Sequence, residues 1–179
     1  MPHDINIFKN IFSLLKEWYK EELNYSEDDF NLHNDFSILK LIKLQFFVAA
    51  INSKENDSIL SGYDFFAMPY GPVETDTYKK IKSSGIEGLN IDRYSTKILS
   101  NFSFVESHLH EEIINSIGIL KKNEPKLIIA DASDLVELSH KWNSWKRNYS
   151  LARIKGNFSA RIPNEEIVND NKTLSLDLV

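Results

Sequence analysis

The sequence predicts a mainly α-helical protein: a single compact domain built around a buried central helix, with one short β-hairpin. Its 179 residues are the usual size of one domain, and a composition of 42% hydrophobic and 26% charged residues is that of a globular chain. Apolar residues recur at helical spacing in several segments. One of these segments, residues 36–54, is apolar almost all round, which is typical of a buried helix.

The first element is an amphipathic helix over residues 4–23. Its apolar residues recur three or four positions apart: Ile7, Phe8, Ile11, Phe12, Leu15, Trp18 and Tyr19. The acidic stretch at residues 25–35 has no such period and is predicted to be a connecting loop. We therefore divide the chain into an N-terminal helix and acidic loop (1–30), a helical domain (31–168) and a C-terminal tail (169–179).

A proline-rich corner follows the central helix, in the stretch FFAMPYGPV at residues 65–73. Pro69 and Pro72 each fix their own φ angle and force the preceding residue into an extended conformation. Two fixed angles around the permissive Gly71 predict a rigid strand-to-helix or helix-to-helix corner that presents Tyr70 outward or in a groove. Pro72 is expected near the first turn of the following helix, where its missing N–H is tolerated.

End signals define the remaining elements. They are a helix at about 73–83 closed by Gly85, a short hairpin within 89–104, a helix capped by Ser107 and ended before Pro125, a helix over 131–145 with a capping box between Asp131 and Asp134, and a last helix with Pro163 in its first turn. The terminal residues 172–179 are either a frayed tail or a strand.

Composition argues against several functional classes. The chain has no cysteine, which excludes a disulfide framework, a thiolate metal site and a cysteine nucleophile. Its start lacks a signal peptide and no apolar run approaches the length of a membrane span, so we expect a cytoplasmic protein. His108 and His110 are two positions apart and point about 200° from each other on a helix. No phosphate-binding glycine loop occurs, and we expect no metal, no cofactor and no enzymatic activity.

Charge is unevenly distributed along the chain, whose net charge is −5. Residues 1–40 hold eight acids and four lysines, whereas residues 141–161 hold six basic residues and no acid. In the second segment Trp142, Trp145, Tyr149 and Phe158 are interleaved with the cations. This pattern suits nucleic-acid binding, in which cations neutralise phosphates and aromatic rings stack on bases.

An acidic protein partner would fit the same segment equally well. We expect Trp142 in the core and favour an interface for Lys146 and Arg147. His140, on a different helical face from Leu135, is predicted to be either a buried hydrogen-bonding histidine near Glu137 or Trp145, or a surface contact residue.

These segments together resemble the Panacea domain, a family of bacterial and phage proteins that includes antitoxins. The family pattern KLxKLxYF corresponds to the helix at residues 41–50, and the FAxxYGPV corner with a following tyrosine corresponds to residues 65–78. An LxxxSHxxxxW helix is matched by Leu135, Ser139, His140 and Trp145. Order and spacing agree over about residues 37–168.

The resemblance implies a helical antitoxin that is encoded beside a toxin and neutralises it by direct contact. Some relatives look like adaptors that deliver the toxin to a protease. On this reading the corner holds two helices so that a defined surface faces the partner. The expected partner-binding residues are Tyr70, Gly71, Pro72, Val73, His140, Trp145, Lys146 and Arg147.

Overall fold

Helices make up most of the regular structure in residues 4–56 and 58–177, the part of the chain that this computed structural model describes. The helices are α1 (Ile5–Leu23), α2 (Glu27–His33), α3 (Ile38–Ile51), α4 (Ser58–Ser61), α5 (Thr75–Ser83), α6 (His110–Asn123), α7 (Ala132–His140), α8 (Asn143–Ile154) and α9 (Asn164–Val168), with a 3₁₀ turn at Leu127–Ile129. The strands are β1 (Phe65–Met68), β2 (Gly71–Glu74), β3 (Leu89–Ile91), β4 (Thr96–Ile98) and β5 (Ala160–Arg161). The predicted mainly α fold is confirmed.

The N-terminal region contains one helix that was predicted and one that was not. Helix α1 agrees with the prediction: Asp4 caps it by accepting a hydrogen bond from the backbone N–H of Asn6, and its apolar face is buried. The acidic stretch forms α2, so the predicted loop is wrong. Ser26 and Asp29 form a reciprocal capping box at its start, and Phe30 alone is buried, which explains why no apolar period was visible.

Helix α3 is the buried central helix that the sequence predicted. It packs against α1, α6, α7 and β2, and every side chain from residue 40 to residue 50 is buried. Three of these are polar, and each places its polar tip against a partner. Lys40 pairs with Asp35 at 2.8 Å, Lys43 donates to the carbonyl of Pro72, and Gln45 donates to the hydroxyl of Thr77.

The proline-rich corner is a β-hairpin, not a junction of two helices. Strands β1 and β2 pair antiparallel, with Met68 opposite Gly71, and Pro69 and Tyr70 form the turn between them. Pro72 lies in β2, and α5 begins only at Thr75, so the predicted helix start is wrong. The strand order is β2-β1-β5, which puts β2 at a sheet edge, where a proline without an N–H is tolerated.

The next elements confirm several end signals. Gly85 follows α5 at φ +73° and donates to the carbonyl of Lys80, as a C-terminal glycine should. The predicted short hairpin is β3–β4. Helix α6 begins at His110, later than predicted, and Ser107 forms the turn just before it.

The helix predicted over residues 131–145 is two helices. It breaks at Lys141 and Trp142, after which α8 runs to Ile154, a helix that was not predicted. Asp131 is the N-cap residue of α7, but its side chain makes no capping hydrogen bond, so the predicted capping box does not form. Pro163 is the N-cap of α9, and residues 169–177 contain no strand.

One hydrophobic core extends from α1 to α9. It includes aromatic side chains from α1 (Trp18), α3 (Phe46), β1 (Phe65) and the α7–α8 junction (Trp142). Within the described residues, every helix falls short of the length and apolar character that crossing a bilayer requires.

Candidate partner-binding site

The tip of the β1–β2 hairpin projects one aromatic side chain into solvent. Tyr70 is 69% exposed, whereas the next three residues, Gly71, Pro72 and Val73, are buried. Of the two orientations predicted for Tyr70, the structure therefore has the outward one. The three buried residues can shape the hairpin but present little side-chain surface of their own.

Two aromatic side chains, from α7 and α8, form hydrogen bonds with the backbone of the hairpin turn. The indole N–H of Trp145 donates to the carbonyl oxygen of Met68 at 2.8 Å, and Nε2 of His140 lies 3.1 Å from the carbonyl oxygen of Pro69. The rings of His140 and Trp145 are stacked with centroids 4.0 Å apart, and the ring of Tyr149 is also stacked with that of Trp145, at 5.0 Å. Helices α7 and α8 thus fix consecutive carbonyls of the turn.

The protonation of His140 follows from these contacts. Burial lowers its pKa, although Glu137, with an oxygen 4.0 Å from Nδ1, opposes the effect. A carbonyl oxygen only accepts hydrogen bonds, so the neutral ring carries its proton on Nε2 to satisfy Pro69. His140 is therefore hydrogen-bonded, as the first of the two predicted alternatives had it, but it is half-buried and its partner is the carbonyl of Pro69.

A buried amine and a close approach of backbone lie under the hairpin. Gly71 has φ +100°, and a Cβ placed on it would lie 2.2 Å from Oγ of Ser139 and 3.1 Å from Nζ of Lys43. Nζ of Lys43 donates to the carbonyl of Pro72 at 2.6 Å, and desolvation lowers the pKa of Lys43 to about 7. Glycine at position 71 is what lets β2 come this close to α3 and α7.

An apolar groove of about 490 Å³ opens in front of the hairpin. Its walls come from the first two turns of α3, the hairpin, α5 and the β3–β4 turn: Ile38, Leu39, Ile42, Met68, Pro69, Tyr70, Val73, Tyr78, Lys82 and Arg93. Tyr70 and Tyr78 are its exposed aromatic residues. The groove and the hairpin tip form one continuous surface, which we call the hairpin face.

Lys146 and Arg147 lie elsewhere on α8. Trp145 faces the hairpin, and successive helical residues are rotated by about 100°, so these two cations point away from it. Both are exposed, and Arg147 has its Nε 4.0 Å from Glu166. The structure thus groups Tyr70, His140 and Trp145 at the hairpin but does not bring Lys146 and Arg147 to the same place.

The basic segment 141–161 is divided among several environments. Trp142 is in the core, as expected, and its indole N–H donates to the carbonyl of Thr173. Lys141 pairs with Asp177 at 2.5 Å, and Arg161 pairs with Asp64 at 2.7 Å. These pairs interrupt the run of basic charge that the sequence showed.

Several residues in and under the hairpin face were not singled out from the sequence. Lys43, under the hairpin, lies inside an apolar run, and nothing in the sequence showed that its amine is buried. Lys82 lies in the helix predicted after the corner and Arg93 in the predicted short hairpin, and neither cation was given a role. Tyr78 did carry a signal, because the family pattern includes a tyrosine in the helix after the corner.

Metal-binding residue types are not gathered anywhere in residues 4–56 and 58–177: no group of three or more histidine, aspartate or glutamate side chains is placed to hold a metal ion. His110, one of the two histidines considered from the sequence, has its Nδ1 2.9 Å from the side-chain nitrogen of Asn10.

The architecture is that of a helical scaffold that clamps a short hairpin and presents its tip. A family model described as "Antitoxin SocA-like, Panacea domain" matches residues 41–146. The chain belongs to this family, and the resemblance read from its motifs is confirmed. The match spans α3, the hairpin, α7 and the start of α8. No curated protein and no solved structure matches the chain.

Proposed function

We propose that this chain is an antitoxin that neutralises a cognate toxin by binding it, with no chemistry of its own, and that the hairpin face is the contact surface. Membership of an antitoxin-like family is the observation that carries the proposal. The geometry supports it, because the hairpin turn is fixed by hydrogen bonds from α7 and α8 while Tyr70 remains exposed.

A fixed turn suits binding. Holding a contact residue in place before association lowers the entropy lost on binding, and exposed tyrosine is among the residue types enriched at interface hot spots. In this proposal His140 and Trp145 position the turn, and Tyr70 touches the toxin. The encounter would take place in the cytoplasm. This compartment is reducing and disfavours disulfides, and a chain without cysteine needs none.

Co-expression tests this function. The gene adjacent to the one for this chain is induced alone and together with it in a bacterial host, and growth is measured. We expect the neighbour to stop growth and this chain to restore it. A neighbour that is harmless alone would remove the basis of the proposal.

Two variants with matched exposure locate the contact. Tyr70→Ala is expected to weaken binding to the purified neighbouring protein by about tenfold or more, as hot-spot tyrosines do. Phe158 is 74% exposed and lies two residues before β5, at the sheet edge opposite β2. Phe158→Ala should leave the affinity for the neighbouring protein and the restoration of growth in the co-expression test unchanged. Equal effects of both variants would contradict the hairpin face as the contact.

The amount of toxin separates two modes of neutralisation. Blocking leaves the toxin level unchanged on an immunoblot, whereas an adaptor that delivers the toxin to a protease makes the level fall in a protease-dependent way. Either result requires binding. Nucleic-acid binding by residues 141–161 is the less favoured reading, because Lys141 and Arg161 are engaged by carboxylates.

A further inference from the structure

The groove of the hairpin face has an apolar floor. Ile42 and Val73 are nearly buried within it, while the rings of Tyr70 and Tyr78 stand at its edge, 69% and 37% exposed. Small-molecule sites usually combine an apolar wall with a few convergent polar groups in the interior. The polar groups of this groove are instead at its rim, which fits a protein segment better than a small ligand.

The charge of the rim is one-sided. Of the described residues, Lys82 and Arg93 line the groove and no acidic side chain does. In the described parts of the chain neither cation forms a salt bridge with a carboxylate, although Arg93 helps to lower the pKa of the neighbouring Asp92. The Arg93 guanidinium lies 4.8 Å over the ring of Tyr94. The whole chain carries a net charge of −5, so this positive rim runs against the average surface. It is complementary to a negatively charged occupant.

We infer that the groove receives a short segment of the toxin in which one or two large apolar side chains are flanked by carboxylates. This inference rests on the antitoxin function proposed above. The apolar side chains would fill the space between Tyr70 and Tyr78, removing apolar surface from water on both sides. The flanking carboxylates would pair with Lys82 and Arg93, which fixes the orientation of the segment and speeds its encounter.

Charge reversal of the rim tests the inference. The variant Lys82→Glu/Arg93→Glu replaces both cations, which are exposed, so the fold should be retained. The matched control is Lys80→Glu, on the same helix but about 200° away from Lys82 and facing a different cavity. Circular dichroism and the urea midpoint confirm that all three proteins are equally folded before binding is measured.

The probe is the purified protein encoded by the adjacent gene. Its dissociation constant is measured by calorimetry at low and at physiological salt. We expect the double reversal to weaken binding by about tenfold or more, since like charges then face each other, and to abolish the loss of affinity with added salt. Lys80→Glu should change affinity by less than about twofold, as expected for an exposed charge outside the contact.

Overlapping short peptides of the same protein identify the segment. Those that bind the wild type and not the double reversal should contain large apolar residues beside aspartate or glutamate. Changing those acids to lysine should restore binding to the double reversal, an exchange that a merely structural role of the rim cannot produce.

The outcomes separate the inference from the function on which it rests. If the wild type neutralises the toxin and the double reversal does so equally well with the same affinity, the groove is not the docking site, although the antitoxin function stands. If the wild type neither binds nor neutralises the protein encoded by the adjacent gene, both the inference and the antitoxin function are refuted. If the wild type is a dimer in sedimentation and the double reversal is a monomer, a second copy of this chain occupies the groove and the inference is overturned.

Discussion

The buried amine of Lys43 should make the stability of this protein depend on pH. The side chain is wholly buried in α3, and its one hydrogen bond in the described structure is to the carbonyl of Pro72 at 2.6 Å. No carboxylate pairs with it in residues 4–56 and 58–177. Because the charged form is desolvated without an ion partner, its pKa falls from the ordinary 10.5 to about 7.

The sign and size of the effect follow from the difference between the folded and unfolded chains. Between about pH 7 and about pH 9 the unfolded amine keeps its proton, while the folded one loses it. The unfolded state then binds more protons, so the free energy of unfolding rises with pH. Integration of the two titration curves over this interval amounts to about 2 kcal/mol. Below about pH 7 both states are protonated and the penalty of the buried charge is constant.

Urea unfolding of the wild type and of Lys43→Met at both pH values measures this contribution. Methionine has a similar length and no titrating group, so the titrations of residues that Lys43 does not influence cancel in the comparison. The exception is His140, whose pKa the charge of Lys43 helps to lower. From about pH 7 to about pH 9, the free energy of unfolding of the wild type should rise by about 2 kcal/mol more than that of the variant. An identical pH dependence of the two proteins would refute the reasoning. An NMR titration of the Lys43 amine in the wild type gives the same pKa without any substitution.

Five further substitutions, one of them a control, test the packing of the core, the hairpin and its clamp, each by urea unfolding. Gly71→Ala should cost about 3 kcal/mol or more, because the new methyl meets a hydroxyl of α7, whereas Gly156→Ala, at φ +75° but facing open space, should cost about 1 kcal/mol. Phe46→Ala removes a wholly buried ring and should cost about 3 to 5 kcal/mol. Trp145→Phe loses the indole hydrogen bond to the turn, worth about 1 kcal/mol, and Tyr70→Ala should change stability by less than about 0.5 kcal/mol.

Helices with a strong apolar period were predictable. The stripe of α1 and the apolar circumference of α3 gave the right type and nearly the right ends, because burial of a helix face leaves a mark at every third or fourth residue. Helix α2 left no such mark, since Phe30 is its one buried residue. Its capping box was in the sequence and was the signal that was missed.

The proline-rich corner shows the limit of local rules. Two prolines and a glycine were correctly taken as a rigid turn, but the sequence left open whether Tyr70 points outward or into a groove. The same residues are compatible with the start of a helix and with the start of a second strand. Residues 71–74 form the strand β2 because they pair with β1 and because α3 and α7 pack against them. Lys43 of α3 also donates a hydrogen bond to the carbonyl of Pro72. None of these partners is adjacent in the sequence.

The sequence by itself determined the class of protein and its family, since caps, turns and apolar periods depend on residues close together in the chain. Only the tertiary structure decided which residues come together in the hairpin face and its clamp. His140 and Trp145 are 71 and 77 positions from the carbonyls that they bind, and the groove joins α3, the hairpin, α5 and the β3–β4 turn. Such contacts form when the elements bury their apolar surfaces together, and the resulting distances are properties of the packing, not of any one segment.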